Sequence, residues 1–323
     1  MTIHRLDLRR IVSDDELKPL KGSFLDDGWV LHYLDKDVDV FDKDTGVKVL
    51  SFRKRRLDSY HQINNFKKLA KASRGRGASA GPIDPESHYW KKRSLIKTKK
   101  FTTGYLKPDG TPSKMSVNNQ VFSTTIGYFN EIKGLGGDLP CRLSHYTQQF
   151  FQEYQRSIPF IEDISRWYQH TWRDAYRYQM YRAKKTDFRI GETPFSTVTV
   201  NRNFRTGLHK DSGDFGGIAC LTVLEHGNYH GGIFLLPAFG IGINLREGDI
   251  LCANVHEYHA NTELWTTPLQ DEMNAQLEPL IQENKDVGTV GIGMDYSRIS
   301  LVCYLREKMI DCSSGAGGSA TTQ

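Results

Sequence analysis

Phe195-Ser-Thr-Val-Thr-Val-Asn-Arg-Asn203-Phe-Arg-Thr-Gly-Leu-His209-Lys-Asp211 is the stretch on which the fold of this 323-residue chain turns. Its first nine residues alternate as a strand does, and Phe204 to Gly207 lead them into a His and an Asp two positions apart. Further on, Ile218-Ala-Cys-Leu-Thr-Val-Leu224 is a short continuous apolar run, the pattern of a buried strand. Gly231-Gly232 introduces Ile233-Phe-Leu-Leu236, and Pro237 ends it. Ile241-Gly-Ile-Asn-Leu245 alternates again, and Glu247-Gly248-Asp249 turns the chain into Ile250-Leu-Cys-Ala253. Ile299-Ser-Leu-Val-Cys-Tyr-Leu305 is strongly β-prone. Many short strands separated by closely spaced turn signals predict a closed or sandwiched antiparallel architecture, mainly β with flanking helices (α+β).

On that frame, His209, Asp211 and His259 supply two imidazoles and one carboxylate, which can occupy one face of an octahedral metal and leave the other open. That donor set suits Fe(II). Arg298-Ile-Ser300 offers a guanidinium fork and a hydroxyl for a dicarboxylate cosubstrate. Together they predict a 2-oxoglutarate oxygenase with a double-stranded β-helix (jelly-roll/cupin-like) core, the metal ligands sitting at the mouth of the barrel. His256 is a rival third ligand, three residues from His259 and on the opposite face of an extended strand. Between His259 and Arg298 lie 38 residues, rich in acidic and polar side chains, so Arg306 stands in reserve as the cosubstrate anchor.

Phe195-Ser196-Thr-Val-Thr199 through His209-Lys210-Asp211 resembles the Phe-Ser-x-x-Thr…His-x-Asp signature of the TET/JBP oxygenases, which include methylcytosine dioxygenases and thymine hydroxylases. Gly231-Gly232, the Gly248-Asp249 turn and His256-Glu-Tyr-His259-Ala-Asn-Thr262 also resemble the JBP branch, where the distal ligand His is followed closely by Asn-Thr. The resemblance spans about 140–306 and favours His259 over His256. It implies oxidation of the methyl group of a 5-methylpyrimidine, 5-methylcytosine or thymine, in DNA, with Fe(II) and 2-oxoglutarate as cofactors. A base flipped from the duplex would then meet Asn201, Asn203 and Asp214 near the metal strand, and Arg142 within Cys141-Arg142-Leu-Ser. The dense Cys/His zinc clusters of the animal methylcytosine enzymes are missing. Two other functions fit the same residues: hydroxylation of a protein side chain or small molecule, and non-catalytic nucleic-acid binding by a vestigial barrel. The complete ligand set disfavours the second.

Composition narrows the partners. Hydrophobic content of 38% and aromatic content of 11% are those of a folded enzyme. No apolar stretch approaches a membrane span and the N-terminus has no signal-peptide core, so an intracellular, soluble protein is expected, nuclear if eukaryotic and cytoplasmic if phage or bacterial. Five cysteines without a C-x-x-C pair suggest neither a zinc site nor a disulfide framework. The net charge of +5 conceals a basic lobe: Ser51–Lys107 holds 16 Lys/Arg against three Asp/Glu, an excess of +13 that leaves the rest at −8. Such segregation suits a polyanion. The expected nucleic-acid contacts are Arg53, Lys54, Arg55 and Arg56, then Arg74 and Arg76 in a mobile Gly-rich loop, then Lys91, Lys92 and Arg93 beside Tyr89 and Trp90, where aromatics interleave with cations.

The domain boundaries predicted are 1–107 for a basic N-terminal region with a small β meander, 108–312 for the oxygenase core, and 313–323 for a disordered tail. Ile161 to Ala183, preceded by Pro159, is expected to be one scaffold helix with Ile161, Ile164, Tyr168, Trp172, Ala175 and Met180 as its apolar stripe.

Overall fold

Alternation along each strand gives every ladder two chemically different faces, and the whole architecture follows from covering the apolar one. The computed structural model describes residues 3–69, 72–74, 78–82, 95–97, 103–105, 110–111, 120–133, 139–278, 280 and 296–312. The large sheet runs in the order β1 (His4–Leu8), β3 (Val38–Asp42), β4 (Lys48–Arg53), β12 (Ile250–Asn254), β9 (Ile218–His226), β14 (Ser297–Tyr304), β8 (Thr197–Arg202), β6 (Gln120–Phe129) and β5 (Ala72–Arg74), with β7 (Arg142–Leu143) also paired to β6. Within this sheet, among the described residues, only β1 and β3 pair in parallel. A smaller sheet faces it, in the order β13 (Ala260–Asn261), β10 (Phe234–Leu236), β11 (Ile241–Ile243) and β2 (His32–Leu34). Two facing sheets joined across strand ends make the double-stranded β-helix core.

Parity then decides which residues meet the cavity. On β14, Ile299, Leu301 and Cys303 pack in the outer apolar cluster, while Arg298, Ser300 and Val302 face inward and line the cavity. On β8, Val198 and Val200 go outward and Thr199 and Asn201 inward. The outer cluster is covered by helix α1 (Phe151–Thr171) through Ile161, Ile164 and Tyr168.

Several expectations change here. The helix starts at Phe151, takes Pro159 into its interior, breaks at Trp172 (φ −142°) and resumes as α2 (Arg173–Ala183). An interior proline costs about 3 kcal/mol, and burial of Tyr154, Phe160, Ile161, Ile164 and Tyr168 on both sides of it outweighs that cost. The N-terminal strands β3 and β4 pair as an antiparallel hairpin and are built into the core sheets. β4 pairs with β12 and β2 pairs with β11, so both sheets need residues from before 107 to cover their apolar faces. Cys141 and Cys312 form a disulfide across 171 residues, correcting the expectation of none; their Cα atoms come to 6.0 Å only through the tertiary fold. Cys220, Cys252 and Cys303 are buried free thiols. The expected tail at 313–323 lies outside the described residues. Among the described residues no helix is long and apolar enough to cross a membrane.

Candidate active site

His209 and His259 stand directly opposite each other in an antiparallel bridge and exchange both backbone hydrogen bonds, at 3.0 and 2.9 Å. Opposed residues project side chains to the same side, so the two imidazoles meet, with ring centroids 4.3 Å apart. Asp211 lies two residues on, and its backbone N–H is held by the Val255 carbonyl. One carboxylate oxygen is 3.4 Å from His209 Nε2 and the other 3.6 Å from His259 Nε2. All three ligand atoms lie within 4.8 Å of one another, a spacing one metal ion can span.

Both rings have their tautomer set from behind. His209 Nδ1 donates to the Gly207 carbonyl at 2.8 Å and His259 Nδ1 to the Glu257 carbonyl at 2.9 Å, which turns both Nε2 atoms toward Asp211, as donors to its carboxylate when protonated and as lone pairs for a metal when not. Gly207 must be glycine: a Cβ there would lie 2.7 Å from the Ala78 carbonyl oxygen and 2.8 Å from that of Gly22. Phe234 stacks on the His259 ring. Burial pushes the Asp211 carboxyl up, but its hydrogen bonds to the two imidazoles outweigh this and hold it well below the usual carboxylate range. The same hydrogen bond lifts His259 above its ordinary 6.5, against the downward pull of burial.

From the triad a cavity of about 290 Å³ runs between the sheets, lined by Arg298 and Ser300 on β14 and by Asn201 and Asp214. Arg298 is 6% exposed, and its Nε has no hydrogen-bond partner. Its Nη2 donates to the Gly232 carbonyl at 3.4 Å. A guanidinium with no carboxylate partner among the described residues, lining a cavity beside the triad, fits a dicarboxylate, and the imidazole–carboxylate set fits a divalent transition metal. Arg306, the reserve anchor, stacks on Phe129 and donates to the Tyr304 hydroxyl on the outer mouth. His256 is exposed on a turn, its Nε2 at 3.0 Å from the Asp214 carbonyl, apart from the triad.

The remaining expected site residues divide. Asn201 Oδ1 and Asp214 Oδ2 are buried without partners in residues that line the cavity; burial, and then the charge of Asp211, push the Asp214 carboxyl well above the usual carboxylate range. Asn203 does not line the cavity. It sits at φ +45°, accepts the Arg298 backbone N–H at 2.7 Å and donates to the Tyr296 carbonyl, so it braces the arginine instead of meeting a substrate. Arg142 also lies off the cavity, its guanidinium spent on the carbonyls of Asn130 and Pro140. The backbone of the Arg53–Arg56 run is pinned at a corner, and two of its four cations are tied to carboxylates. Arg53 is buried and paired with Asp39 at 2.7 Å, Arg56 pairs with Asp37, the Lys54 and Arg55 N–H groups donate to Asp37 and Asp249, and only Arg55 is exposed. Arg74 ends strand β5, while Arg76, Lys91, Lys92 and Arg93 lie outside the described residues. The Gly-rich loop, where described, is built into the site: the Ser79 carbonyl accepts from Gly207, and Ser79 lines the cavity.

Sequence reasoning missed the N-terminal clasp on the triad. Arg10 forks Glu257 at 2.7 and 2.9 Å, and Asp14 pairs with Lys210 at 2.5 Å, so one segment grips both metal-bearing strands. No local pattern announces contacts across such separations.

A His-Asp-His triad spaced to hold one metal ion, sharing a cavity between two facing sheets with a buried arginine, is the arrangement that suits an oxygenase of the 2-oxoglutarate and Fe(II) class. Over residues 125–307 the chain matches the family model Tet_JBP, the oxygenase domain of the 2OGFeDO superfamily, and it belongs to that family. It is 33% identical over 182 residues to thymine dioxygenase JBP1-B of Trypanosoma cruzi (strain CL Brener), covering 56% of this chain and 19% of that protein. It is 37% identical over 139 residues to thymine dioxygenase JBP1 of Trypanosoma brucei brucei, covering 43% and 16% respectively. The chain thus spans less than a quarter of the length of these relatives. The solved structure of NgTET1 in complex with 5mC DNA aligns with 87% of this chain and 80% of its own at 11% identity and a TM-score of 0.48.

Proposed function

We propose that this chain is a 2-oxoglutarate- and Fe(II)-dependent dioxygenase that hydroxylates the methyl group of a 5-methylpyrimidine in DNA, with thymine the first substrate to test because the relatives are thymine dioxygenases. The observation that carries it is one cavity lined by the His209–Asp211–His259 triad together with Arg298, Ser300, Asn201 and Asp214. When bound, Fe(II) and 2-oxoglutarate supply the oxidant: one atom of O₂ enters the methyl group as hydroxyl, the other enters succinate, and CO₂ leaves.

The chain's own residues do the rest. His209, Asp211 and His259 hold the metal, and the Gly207 and Glu257 carbonyls keep both rings in the ligating tautomer. The Arg298 fork and the Ser300 hydroxyl receive the distal carboxylate, which lets a buried cation find its counter-charge. A base in the cavity has left its stack, and it presents donors and acceptors to the side chains of Asn201 and Asp214.

The test is incubation with Fe(II), 2-oxoglutarate and duplex DNA carrying thymine and 5-methylcytosine, followed by mass analysis of released nucleosides. Hydroxymethyl pyrimidines forming in step with succinate support the assignment. Succinate without an oxidised base would move the substrate outside DNA.

A further inference from the structure

Two of the four cations in the Arg53–Arg56 run are paired with Asp39 and Asp37, which leaves open where a duplex would rest. Helix α2 and the two residues after it offer another surface. From Arg177 to Lys185 there are four cations and no carboxylate. Arg177, Lys184 and Lys185 are exposed, and among the described residues none of the four cations has an acidic partner. Helical spacing puts Arg177, Tyr181 and Lys184 or Lys185 on one outer face, opposite the buried Gln179 and Ala183. Tyr178 and Tyr181 are 56% and 61% exposed, which water alone does not favour for such large rings. Lys185 lies over the Tyr181 ring at 4.8 Å.

This face is fastened to the rim of the active site. Gln179 Nε2 donates to the Phe215 carbonyl at 2.7 Å and to that of Ile218 at 3.1 Å. The Phe215 ring contacts Tyr178 at 5.3 Å and the Arg182 guanidinium at 5.5 Å. Phe215 follows Asp214, which lines the cavity, and Lys21, Lys210 and Arg306 border the outer mouth.

We propose that the outer face formed by Arg177, Tyr178, Tyr181, Arg182, Lys184 and Lys185 receives the phosphate backbone of duplex DNA and sets it beside the mouth. The proposal rests on the DNA reading above and deepens it. Cations supply the sequence-independent affinity, and tyrosine hydroxyls donate to phosphate oxygens and fix the position of the duplex. Lysines and arginine near a helix C-terminus also complement its dipole, but that role gives no reason for two exposed tyrosines among them.

The experiment uses the full chain and a fluorescein-labelled duplex, with affinity read by anisotropy over a range of salt. In Arg177→Gln/Lys184→Gln/Lys185→Gln, loss of up to three phosphate contacts should flatten the slope of log affinity against log salt by about 2–3. Affinity should fall by about tenfold or more, with DNA-independent succinate formation unchanged. If the wild-type protein has no salt-sensitive affinity for DNA, the DNA substrate falls and this surface with it. If the wild type binds and the variant binds equally well, the surface assignment alone is overturned. Acetylation of Lys184 and Lys185 in the wild-type protein is a second measure that needs no variant to fold. A saturating duplex should protect both lysines, and equal labelling with and without DNA overturns the proposal.

Discussion

Replacing Arg298 with Met should make the protein more stable without cosubstrate and less responsive with it. The guanidinium is 6% exposed, its Nε is unpartnered, its one hydrogen bond to Gly232 is long at 3.4 Å, and no described carboxylate pairs with it. A buried charge in that condition costs several kcal/mol, and replacing such ions by apolar side chains often gains 1–4 kcal/mol. Because this guanidinium borders a cavity, water offsets part of the cost, and a gain of about 1–2 kcal/mol is expected. At roughly 2–4 °C per kcal/mol, the melting temperature should rise by several degrees. The wild type, at 2-oxoglutarate a hundredfold above its Kd, should gain about 2.7 kcal/mol that the variant lacks. Melting curves with Mn(II) as a redox-inert metal, with and without 2-oxoglutarate, should therefore reverse the order of the two proteins. A variant less stable than wild type without cosubstrate, or one that keeps the full cosubstrate shift, would refute the reasoning and make Arg298 a structural residue.

The other expectations follow from the same geometry. His209→Ala, Asp211→Ala and His259→Ala should each abolish tight metal binding by titration calorimetry, whereas His256→Ala should keep measurable turnover, since that ring reaches only the Asp214 carbonyl. Because His259 is raised above 6.5 by Asp211, the metal-free protein keeps that proton past pH 6.5. The pair's stabilising contribution is then present below 6.5 and lost as pH rises through the raised value, while Mn(II) affinity should climb over the same window as the competing proton leaves. Gly232→Ala forces a side chain at φ +68° and puts Cβ 2.7 Å from Leu264 Cδ2 and 3.2 Å from Arg298 Nε; a several-fold rise in the 2-oxoglutarate KM with unchanged metal affinity should result. Arg10→Gln breaks the fork to Glu257, whose carbonyl orients His259, and should cost about 1–2 kcal/mol while weakening metal binding; unchanged metal affinity would reduce the clasp to a simple surface contact.

Much of the site was legible because chemistry and strand parity are local. A His and an Asp two apart on one strand share a face, as do Arg298 and Ser300; alternation marked β8, a continuous apolar run β9, a turn signal β12 and β-prone composition β14. Membership of the oxygenase family also lay in the order of those short motifs. What the sequence could not determine are the relations between distant segments. Whether Arg53 faces water or Asp39, whether Asn203 meets a substrate or braces Arg298, and whether Cys141 finds Cys312 depend on which segment the other sheet brings alongside. Charge counted along the chain placed the cations between 51 and 107; partners across space bury or pair Arg53 and Arg56 and leave the outer face of α2 unpaired, because only a charge without a nearby opposite one is available to a polyanion.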